Sequence, residues 1–427
     1  MKKSIIRTLS VTALSAGSLL AMTACGGVKA AKYEAGNPVK VGLICLHDDK
    51  STYDANFINA LNDAVKNLGT KVVFEKDCLL TGVNEDENCY NAAKDLVKKG
   101  CNLIFADSFG HQSYILQAAK EWPEVQFCHA TGTNSTTNED VKNYHNAFAS
   151  IYEGRYLAGY AAGLKLLTMD NANFTTGFHV GYVGAYPYAE VKSGYTSWFL
   201  GLREAVRVNG KDDSKIEMDV QFTNSWYDVN AEASAATNLI EKKGAILLSQ
   251  HADSMGAPGV AEQKKIPNVT YNIETKTDCP NSYLAYSRIN WAPYYEAVVN
   301  AMFNGTAIEG ESKQNWTGTL ATGSVEYNVN WDNMGNAVQV AAFKLELAAE
   351  ELAIKSGLKK VFDTSKFTVD GKKVTTYKAD VIDDGTFTGD TEVIVNGTGD
   401  APSFFNESAY RSAPYFDLNI DGINLPA

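Results

Sequence analysis

Short apolar runs alternate with segments of helical spacing along the chain from residue 39 onward. The run at 39–46 (VKVGLICL) is typical of a buried strand, and residues 56–68 carry apolar side chains at helical intervals. Similar strand-like and helix-like segments follow in turn up to about residue 150. This rhythm, with its short connections, predicts an α/β fold in which helices cover both faces of a parallel sheet.

The same rhythm restarts after a helical segment rich in small residues, at 152–163 (YEGRYLAGYAAG). Because it continues to about residue 283, the pattern predicts two sequential α/β units, at 39–150 and 151–283. A long helix is then predicted over 337–355. Residues 366–427 contain strand-like runs and Gly-Asp turns, which we interpret as a small β-rich C-terminal segment.

The first 27 residues (MKKSIIRTLSVTALSAGSLLAMTACGG) have the pattern of a secretory signal. Three positive side chains precede an apolar stretch too short for a stable membrane span, so we predict a signal peptide at 1–24 and a polar tether at 25–38. The position of Cys25 resembles the lipobox of bacterial lipoproteins. We expect acylation of this thiol, which would anchor the protein to the outer face of a membrane. The alternative is a secreted protein whose cleavage site happens to precede a cysteine.

The formal charge of the chain is −12, and removal of the positive signal peptide would make it −15. A body this acidic repels nucleic acids and anionic lipid surfaces, so neither is an expected partner. The seven cysteines show no CxxC or Cys/His spacing typical of a metal site, and we predict no metal and no cofactor. Cys78 and Cys89 bracket a polar loop, and the sequence leaves open whether they form a disulfide.

Polar and aromatic side chains recur where the predicted strands end. In open parallel sheets, ligands lie beyond the carboxyl ends of the strands. Carboxylates and amides suit a hydroxyl-rich ligand and aromatic rings suit a flat heterocycle, so this set favours a sugar attached to a base. The candidate ligand-binding residues at these strand ends are Asp48, Tyr53, Asp54, Asp107, Ser108, Trp226, His251, Asp253, Asn272 and Glu274.

Structural roles are the alternative for several of these residues. Asp54 stands where a helix N-cap is expected, and capping alone would explain it. Tyr53 and Trp226 could pack at the rim of a cleft, and Asp107 could serve the turn that follows its strand.

Three motifs carry a resemblance to a known family. Residues 48–51 (DDKS) with Tyr53 resemble the first-loop motif of the basic membrane protein (BMP) lipoproteins. Residues 152–159 (YEGRYLAG) resemble their EGSYLAG crossover helix, and residues 180–184 (VGYVG) resemble the first strand of their second lobe. The resemblance runs from about residue 39 to 295. BMP lipoproteins are substrate-binding components of ABC transporters and include the purine nucleoside receptors.

The resemblance implies two Rossmann-like lobes joined by three hinge strands, the type I periplasmic-binding-protein fold, with the ligand clamped between them. On that plan the first lobe would be completed by about 284–325 and the second by about 326–365. The implied function is capture of a nucleoside, with a purine favoured, by hinge closure and delivery to an ABC permease. The implied setting is a monomer, lipid-anchored on the extracytoplasmic face of the cell membrane.

The resemblance also implies how the ligand would be held. Tyr53 stands where the family has an aromatic that stacks on the base, and Trp226 resembles the second ring of this sandwich. Asp107 stands where the family has an Asp that reads the base.

Three positions depart from the family pattern. Asp54 stands where an Asn is usual, which changes the contact with the base edge. Asn272 stands where the family has a ribose-binding Asp, and Glu274 could substitute for it. Arg288 stands where a Lys contacts the sugar.

The sequence predicts a binding protein rather than an enzyme, because it contains no HExxH, GxSxG or Walker A pattern. A nucleoside hydrolase would use His129 or His251 beside Asp107 as acid and base, but the sequence supplies no metal or nucleophile for that chemistry. Two further alternatives are a sugar-binding protein and a surface lipoprotein that senses its ligand and presents it to a membrane receptor.

Overall fold

Two seven-stranded sheets, each packed against helices, organise the molecule. The structure is a computed structural model that describes residues 28–309, 314–382, 385–386, 388–399 and 401–426. The predicted signal peptide and Cys25 lie outside these residues. Within the described residues, every helix is too short or too polar to cross a membrane. The two sheets confirm the predicted α/β fold with two lobes.

The first lobe begins with an alternation of strands and helices that ends at Ala149. Its elements are β1 Val39–Ile44, α1 Thr52–Leu68, β2 Val72–Val73, β3 Leu79–Leu80, α2 Glu87–Lys98, β4 Leu103–Ala106, α3 Gln112–Glu121, β5 Gln126–Ala130 and β6 Tyr144–Ala149.

The second lobe repeats this alternation after a buried crossover helix. Its elements are α4 Ile151–Leu166, β7 Phe178–Gly184, α5 Ala189–Val208, β8 Ile216–Phe222, α6 Val229–Glu241, β9 Ala245–His251, α7 Gly256–Lys264, β10 Asn268–Tyr271 and β11 Tyr283–Ile289.

The remaining chain completes both lobes and adds the C-terminal segment. Its elements are α8 Ala292–Asn304, β12 Asn315–Gly318, β13 Val325–Val329, α9 Ala337–Lys355, β14 Lys378–Ala379, β15 Thr391–Glu392, β16 Ile394–Val395, β17 Phe404–Phe405 and β18 Ile423–Asn424.

Over the residues that the structure describes, the chain crosses between the sheets three times. The first sheet has the order β12-β6-β5-β4-β1-β2, with β3 also paired to β1, and the second has the order β13-β11-β10-β9-β7-β8-β18. The crossings therefore fall between β6 and α4, between β11 and α8, and between β12 and β13. The resemblance placed the return to the first lobe at about residue 284, but β11 belongs to the second sheet and the return follows Ile289.

The small-residue helix of the sequence becomes α4, which packs directly on α5. A Cβ at Gly159 would lie 1.9 Å from the carbonyl oxygen of Trp198, and one at Gly201 would lie 2.0 Å from that of Tyr156. Side chains at either position would push the two helices apart. The YEGRYLAG motif is therefore, in large part, a packing motif of the second lobe.

The C-terminal segment contacts both lobes. On the first lobe, Asn146 of β6 donates to Ser412 Oγ at 2.9 Å, and the Ser412 backbone N–H donates to Asn315 at 3.1 Å. On the second lobe, Lys192 of α5 donates to the Asp417 carbonyl at 3.2 Å, and β18 pairs in parallel with β8. Its described strands are only two residues long, so the predicted β-rich addition is mostly irregular chain held by side chains.

Candidate functional site

A pocket lies between the lobes at the carboxyl ends of their strands. This is the edge where parallel sheets place their ligands. The lining comes from both lobes and mixes rings, carboxyl groups and hydroxyls. The residues that line it are Leu46, His47, Tyr53, Asp54, Ser108, Phe109, Thr131, Glu190, Trp226, His251, Asp253 and Tyr271.

Asp54 is a buried carboxylate at the start of α1. It accepts hydrogen bonds from the His47 backbone N–H at 2.8 Å and from the Ser51 hydroxyl at 2.5 Å. Burial acts to raise the pKa of Asp54, but the bonds from His47 and Ser51 outweigh it and leave the pKa below its ordinary value. The N-cap of α1 is Ser51, so the capping explanation for Asp54 is wrong.

Asp107 lies just under the pocket, at the end of β4, and is fully buried. One of its oxygens accepts from the Leu46 backbone N–H at 3.2 Å, while Oδ2 makes no hydrogen bond to the described residues. Burial, and then the charge of Asp54, raise the pKa of Asp107 well above its ordinary value. The Tyr53 hydroxyl donates to the Asp107 carbonyl at 2.7 Å, which fixes the ring of Tyr53 against the pocket.

Ser108 is held in the wall by a glutamate that the sequence analysis missed. Glu85 accepts from the Ser108 hydroxyl at 2.5 Å and from the Gly110 backbone N–H at 2.7 Å. On the other side, His129 Nε2 lies 2.7 Å from the Ser108 carbonyl oxygen. Glu85 comes from the loop before α2, far from any predicted strand end, so no simple sequence signal marks it.

Trp226 belongs to an aromatic cluster on the second lobe. Its ring meets Tyr186 edge to face at a centroid distance of 5.2 Å, and Tyr186 stacks on Tyr188 at 5.0 Å. Such contacts hold the ring of Trp226 in the wall of the pocket.

His251 ends β9 beneath this cluster and is almost fully buried. Its Nε2 lies 3.3 Å from Glu190, and its ring lies 4.6 Å from that of Tyr271. Burial, and then the nearby positive charge of Arg155, lower the pKa of His251 to about 4. Its imidazole is therefore neutral at pH 7. Of His251, Glu190 and Tyr271, only His251 was predicted as a site residue.

Arg155 underlies the second-lobe wall and was not predicted as a site residue. Its guanidinium lies 3.6 Å from the centre of the Tyr271 ring, and Nη1 donates to the Gln250 carbonyl at 2.9 Å. One signal in the sequence could have pointed to Arg155. It lies in the YEGRYLAG motif at the position where the family motif EGSYLAG has a serine.

Asp253 joins the two lobes and also lines the pocket. Its carbonyl accepts from the Thr52 backbone N–H of the first lobe at 2.9 Å. Its side chain accepts from Asn272 at 3.3 Å, so Asn272 supports Asp253 from behind instead of lining the pocket. Burial, and then the charges of Asp54, Glu232 and Glu190, raise the pKa of Asp253 well above its ordinary value.

Three predicted residues lie away from the pocket. Asp48 is exposed and accepts from the Lys50 backbone N–H in a turn, and Glu274 is also exposed. Arg288 pairs with Glu326, with Nε and Nη2 at 2.8 and 2.7 Å from the same carboxylate oxygen. The structure thus brings Tyr53, Asp54, Ser108, Trp226, His251 and Asp253 together, with Asp107 and Asn272 directly behind them.

The lobes touch each other across the mouth of the pocket. Besides the bond from Thr52 to Asp253, the ring of His47 lies 5.5 Å from that of Tyr227 and the ring of Phe109 lies 6.4 Å from that of Tyr188. The structure therefore shows a closed arrangement of the two lobes.

One cluster at the pocket floor has donor atoms of the kind that bind metals. Cys45, Asp54 and Asp107 each place one such atom within 4.8 Å of the others. Burial raises the pKa of the Cys45 thiol and that of Asp107, so both groups tend to keep their protons. Asp54 alone would supply negative charge, which is a poor match for a divalent cation.

Two lobes of parallel α/β topology, three crossings and a pocket at the facing strand ends define a ligand-binding protein of the periplasmic-binding-protein type. The model of the family described as ABC transporter substrate-binding protein PnrA-like matches residues 41–357. The chain belongs to this family, which confirms the resemblance seen in its motifs. Membership implies an extracytoplasmic location, a small-molecule ligand and a permease partner.

Three known proteins illustrate the similarity. The purine-binding protein of Brucella abortus (strain 2308) is 31% identical over 323 residues, which cover 75% of this chain and 81% of the relative. A putative ABC transporter glucose-binding protein of Haloferax volcanii is 29% identical over 258 residues, 60% of this chain and 59% of that protein. A solved ABC transporter solute-binding protein from Conexibacter woesei superposes with a TM-score of 0.56 at 18% identity, covering 75% of this chain and 98% of the other, and supports the fold alone.

Proposed function

We propose that the protein captures a purine nucleoside between its lobes and delivers it to an ABC permease. The observation that carries this proposal is the lining, where the rings of Tyr53 and Trp226 share one pocket between the lobes with the buried carboxyl group of Asp253. Rings offer faces for a base, and carboxyl groups pair with base edges and ribose hydroxyls. The name of the Brucella relative supports a purine as the base.

The proposed contacts differ in part from those that the family resemblance implied. Tyr53 and Trp226 would hold the base. Asp107, which lies directly behind the lining and has one oxygen without a hydrogen-bond partner among the described residues, would read its edge. Asp253, supported by Asn272, would bind the ribose. Glu190 and His251 would assist it, in place of Glu274 and Arg288, because the former pair lines the pocket and the latter does not.

Hinge closure is the proposed mechanism of capture. Opening would break the Thr52–Asp253 bond and two ring contacts while leaving each sheet intact. A ligand that contacts both walls would add its own contacts only in the closed form, and so would favour that form. The permease would then recognise the closed form.

A lipid anchor at Cys25 is the second part of the proposal, and it rests on the sequence. An acylated cysteine followed by a polar tether would hold the binding protein close to its permease. Cys25→Ser should release the protein into the medium or periplasm, while Cys45→Ser, a matched change outside the signal, should leave it in the membrane fraction. Retention of the Cys25→Ser protein in washed membranes would contradict the anchor.

Thermal shift on residues 28–427 tests the ligand class. A ligand that binds only the folded state stabilises it by about 2.7 kcal/mol at a hundredfold excess over Kd. Inosine, guanosine or adenosine should raise the melting temperature, while ribose, glucose and amino acids should not. The Trp226→Ala variant is the control, because it should keep the fold and lose most of the shift.

A sugar ligand is the second candidate, and the glucose-binding name of the Haloferax relative favours it. Carboxyl groups and a ring platform also suit a hexose. A shift with glucose and none with nucleosides would select this candidate.

The hydrolase alternative predicts release of free base from inosine on prolonged incubation; the binding proposal predicts intact nucleoside. A surface sensor would bind the same ligand and be retained by a membrane receptor. Uptake of the ligand separates the two roles, because it should fail in cells that lack this protein only if the protein serves a permease.

A further inference from the structure

Two buried cysteines of the first lobe lie side by side. Cys78 ends a short 3-10 turn before β3, and Cys101 lies just before β4. Their sulfur atoms are 3.6 Å apart, and both side chains are within 2% of complete burial. The pair lies outside the ligand pocket, among apolar side chains of α2 and the first sheet.

Cys89, the partner that the sequence suggested for Cys78, points elsewhere. It lies within α2, and its sulfur faces the His111 carbonyl oxygen at 4.0 Å. The neighbour of the Cys78 sulfur is Cys101 instead. Both backbones are held in place, since the Cys78 N–H donates to the Glu75 carbonyl at 2.9 Å and the Cys101 N–H donates to the Leu96 carbonyl at 3.0 Å.

We propose that Cys78 and Cys101 form a disulfide in the mature protein. The two thiols lose two protons and two electrons as the S–S bond forms. An oxidant of the disulfide class takes them up, and its own S–S bond breaks to give two thiols. The sulfurs must approach to about 2.05 Å, a small movement from contact distance. The extracytoplasmic location that the family implies is the setting in which such bonds persist.

The bond would close a ring around the segment that supports the pocket wall. That ring contains Val83, whose carbonyl oxygen lies 2.8 Å from His111 Nε2, and Glu85, which holds Ser108 and Gly110. A closed ring restricts the unfolded chain and ties this segment to the start of β4. The disulfide would therefore stabilise the first lobe and keep the Ser108 wall in place.

Burial also determines when the bond can form. It raises the pKa of the Cys101 thiol, so the folded protein offers little of the thiolate that attacks an oxidant. Oxidation is thus expected during folding, before the pair is enclosed. Once formed, the bond is shielded from reductants in the same way.

Thiol counting tests the proposal directly. Residues 28–427 are exported to an oxidising bacterial periplasm, denatured, and treated with N-ethylmaleimide without reductant. We expect four of the six cysteines of this part to be alkylated, and a linked peptide pair that contains Cys78 and Cys101. Six alkylated cysteines, or a linked pair that contains Cys89, would overturn the proposal.

Matched variants separate the bond from a general effect on folding. Cys78→Ser and Cys101→Ser should each show five alkylated cysteines, and Cys89→Ser should show three. Reductant present during refolding should lower the melting temperature of the parent by roughly 5 °C and leave Cys78→Ser unchanged. An equal effect of reductant on both proteins would contradict the assignment. None of these readouts depends on the identity of the ligand.

Discussion

The two walls of the pocket are built in different ways. On the first lobe, short hydrogen bonds hold two polar groups of the lining: Ser51 and the His47 N–H hold Asp54, and Glu85 holds Ser108. On the second lobe, ring packing dominates, with Trp226 set among two tyrosines.

This difference suggests that the two walls contribute differently to ligand selection and to affinity. A hydrogen-bonded wall has fixed geometry and can select among polar edges, whereas a ring wall supplies contact area with little directional demand. Both walls contain buried polar atoms without a hydrogen-bond partner among the described residues, such as Oδ2 of Asp107 on the first and Nδ1 of His251 on the second. We infer that selection rests mainly on the first wall, and affinity on the second.

Removal of the main ring should have the largest effect. Trp226→Ala is expected to raise the Kd for inosine by about 10–100-fold, because contact with an aromatic ring contributes roughly 1–3 kcal/mol per base. Titration calorimetry measures it, and Trp226→Phe should remain within about threefold of the parent. An unchanged Kd for Trp226→Ala would contradict a role for the aromatic second-lobe wall in binding the base.

Truncation of the carboxyl group shared between the walls should come next. Asp253→Ala is expected to weaken inosine binding by about 10–30-fold, because it deletes a polar partner in a buried site. Burial raises the pKa of Asp253, which favours the protonated carboxyl group, and an amide resembles that form, so Asp253→Asn should retain most of the affinity. Asp48→Ala is the exposed control and should bind normally. Equal loss in Asp253→Asn and Asp253→Ala would show that the ionised form is required.

The buried His251 of the second-lobe wall should make the free energy of unfolding depend on pH below 6.5. Because the pKa of His251 is lowered to about 4 from an ordinary value of 6.5, the unfolded chain binds more protons between these values. The free energy of unfolding therefore falls as pH drops from 6.5 to 4, by up to about 1.4 kcal/mol per pH unit from this group. Carboxyl groups with raised pKa act in the opposite direction, so the test compares the parent with His251→Gln. Parallel pH profiles in urea melts would contradict a neutral buried ring.

Changes outside the two walls should have the smallest effect. Arg288→Ala and Glu274→Ala are expected to change the Kd for inosine by less than about twofold. Arg288 is already paired with Glu326, and Glu274 is exposed and absent from the lining. A tenfold loss in either variant, with the fold intact by circular dichroism, would restore the ribose contacts that the sequence suggested.

Much of the fold could be read from local patterns. Apolar runs such as β4, and the helical spacing of α1, define elements that burial then stabilises. The pairing of strands within each sheet was harder to predict from the sequence. Whether β11 belongs to the first or second sheet depends on its ladder with β10, which no local pattern records.

The site divides along a similar line. Tyr53, Trp226 and Asp253 lie in or near the loops that follow strands β1, β8 and β9, so strand ends and the family resemblance could point to them. Glu85 and Arg155 reach the site through tertiary packing, from a loop and from a helix whose pattern indicates only burial. Arg288 was misplaced because its sequence position does not show that Glu326 of β13 holds it.

Small-angle X-ray scattering measures directly whether a nucleoside closes the two lobes on one another. Residues 28–427 would be recorded without ligand, with saturating inosine, and with glucose. We expect inosine to reduce the radius of gyration to the value of the closed structure, and we expect glucose to leave it unchanged. An unchanged radius with bound inosine, or contraction with glucose alone, would contradict this expectation.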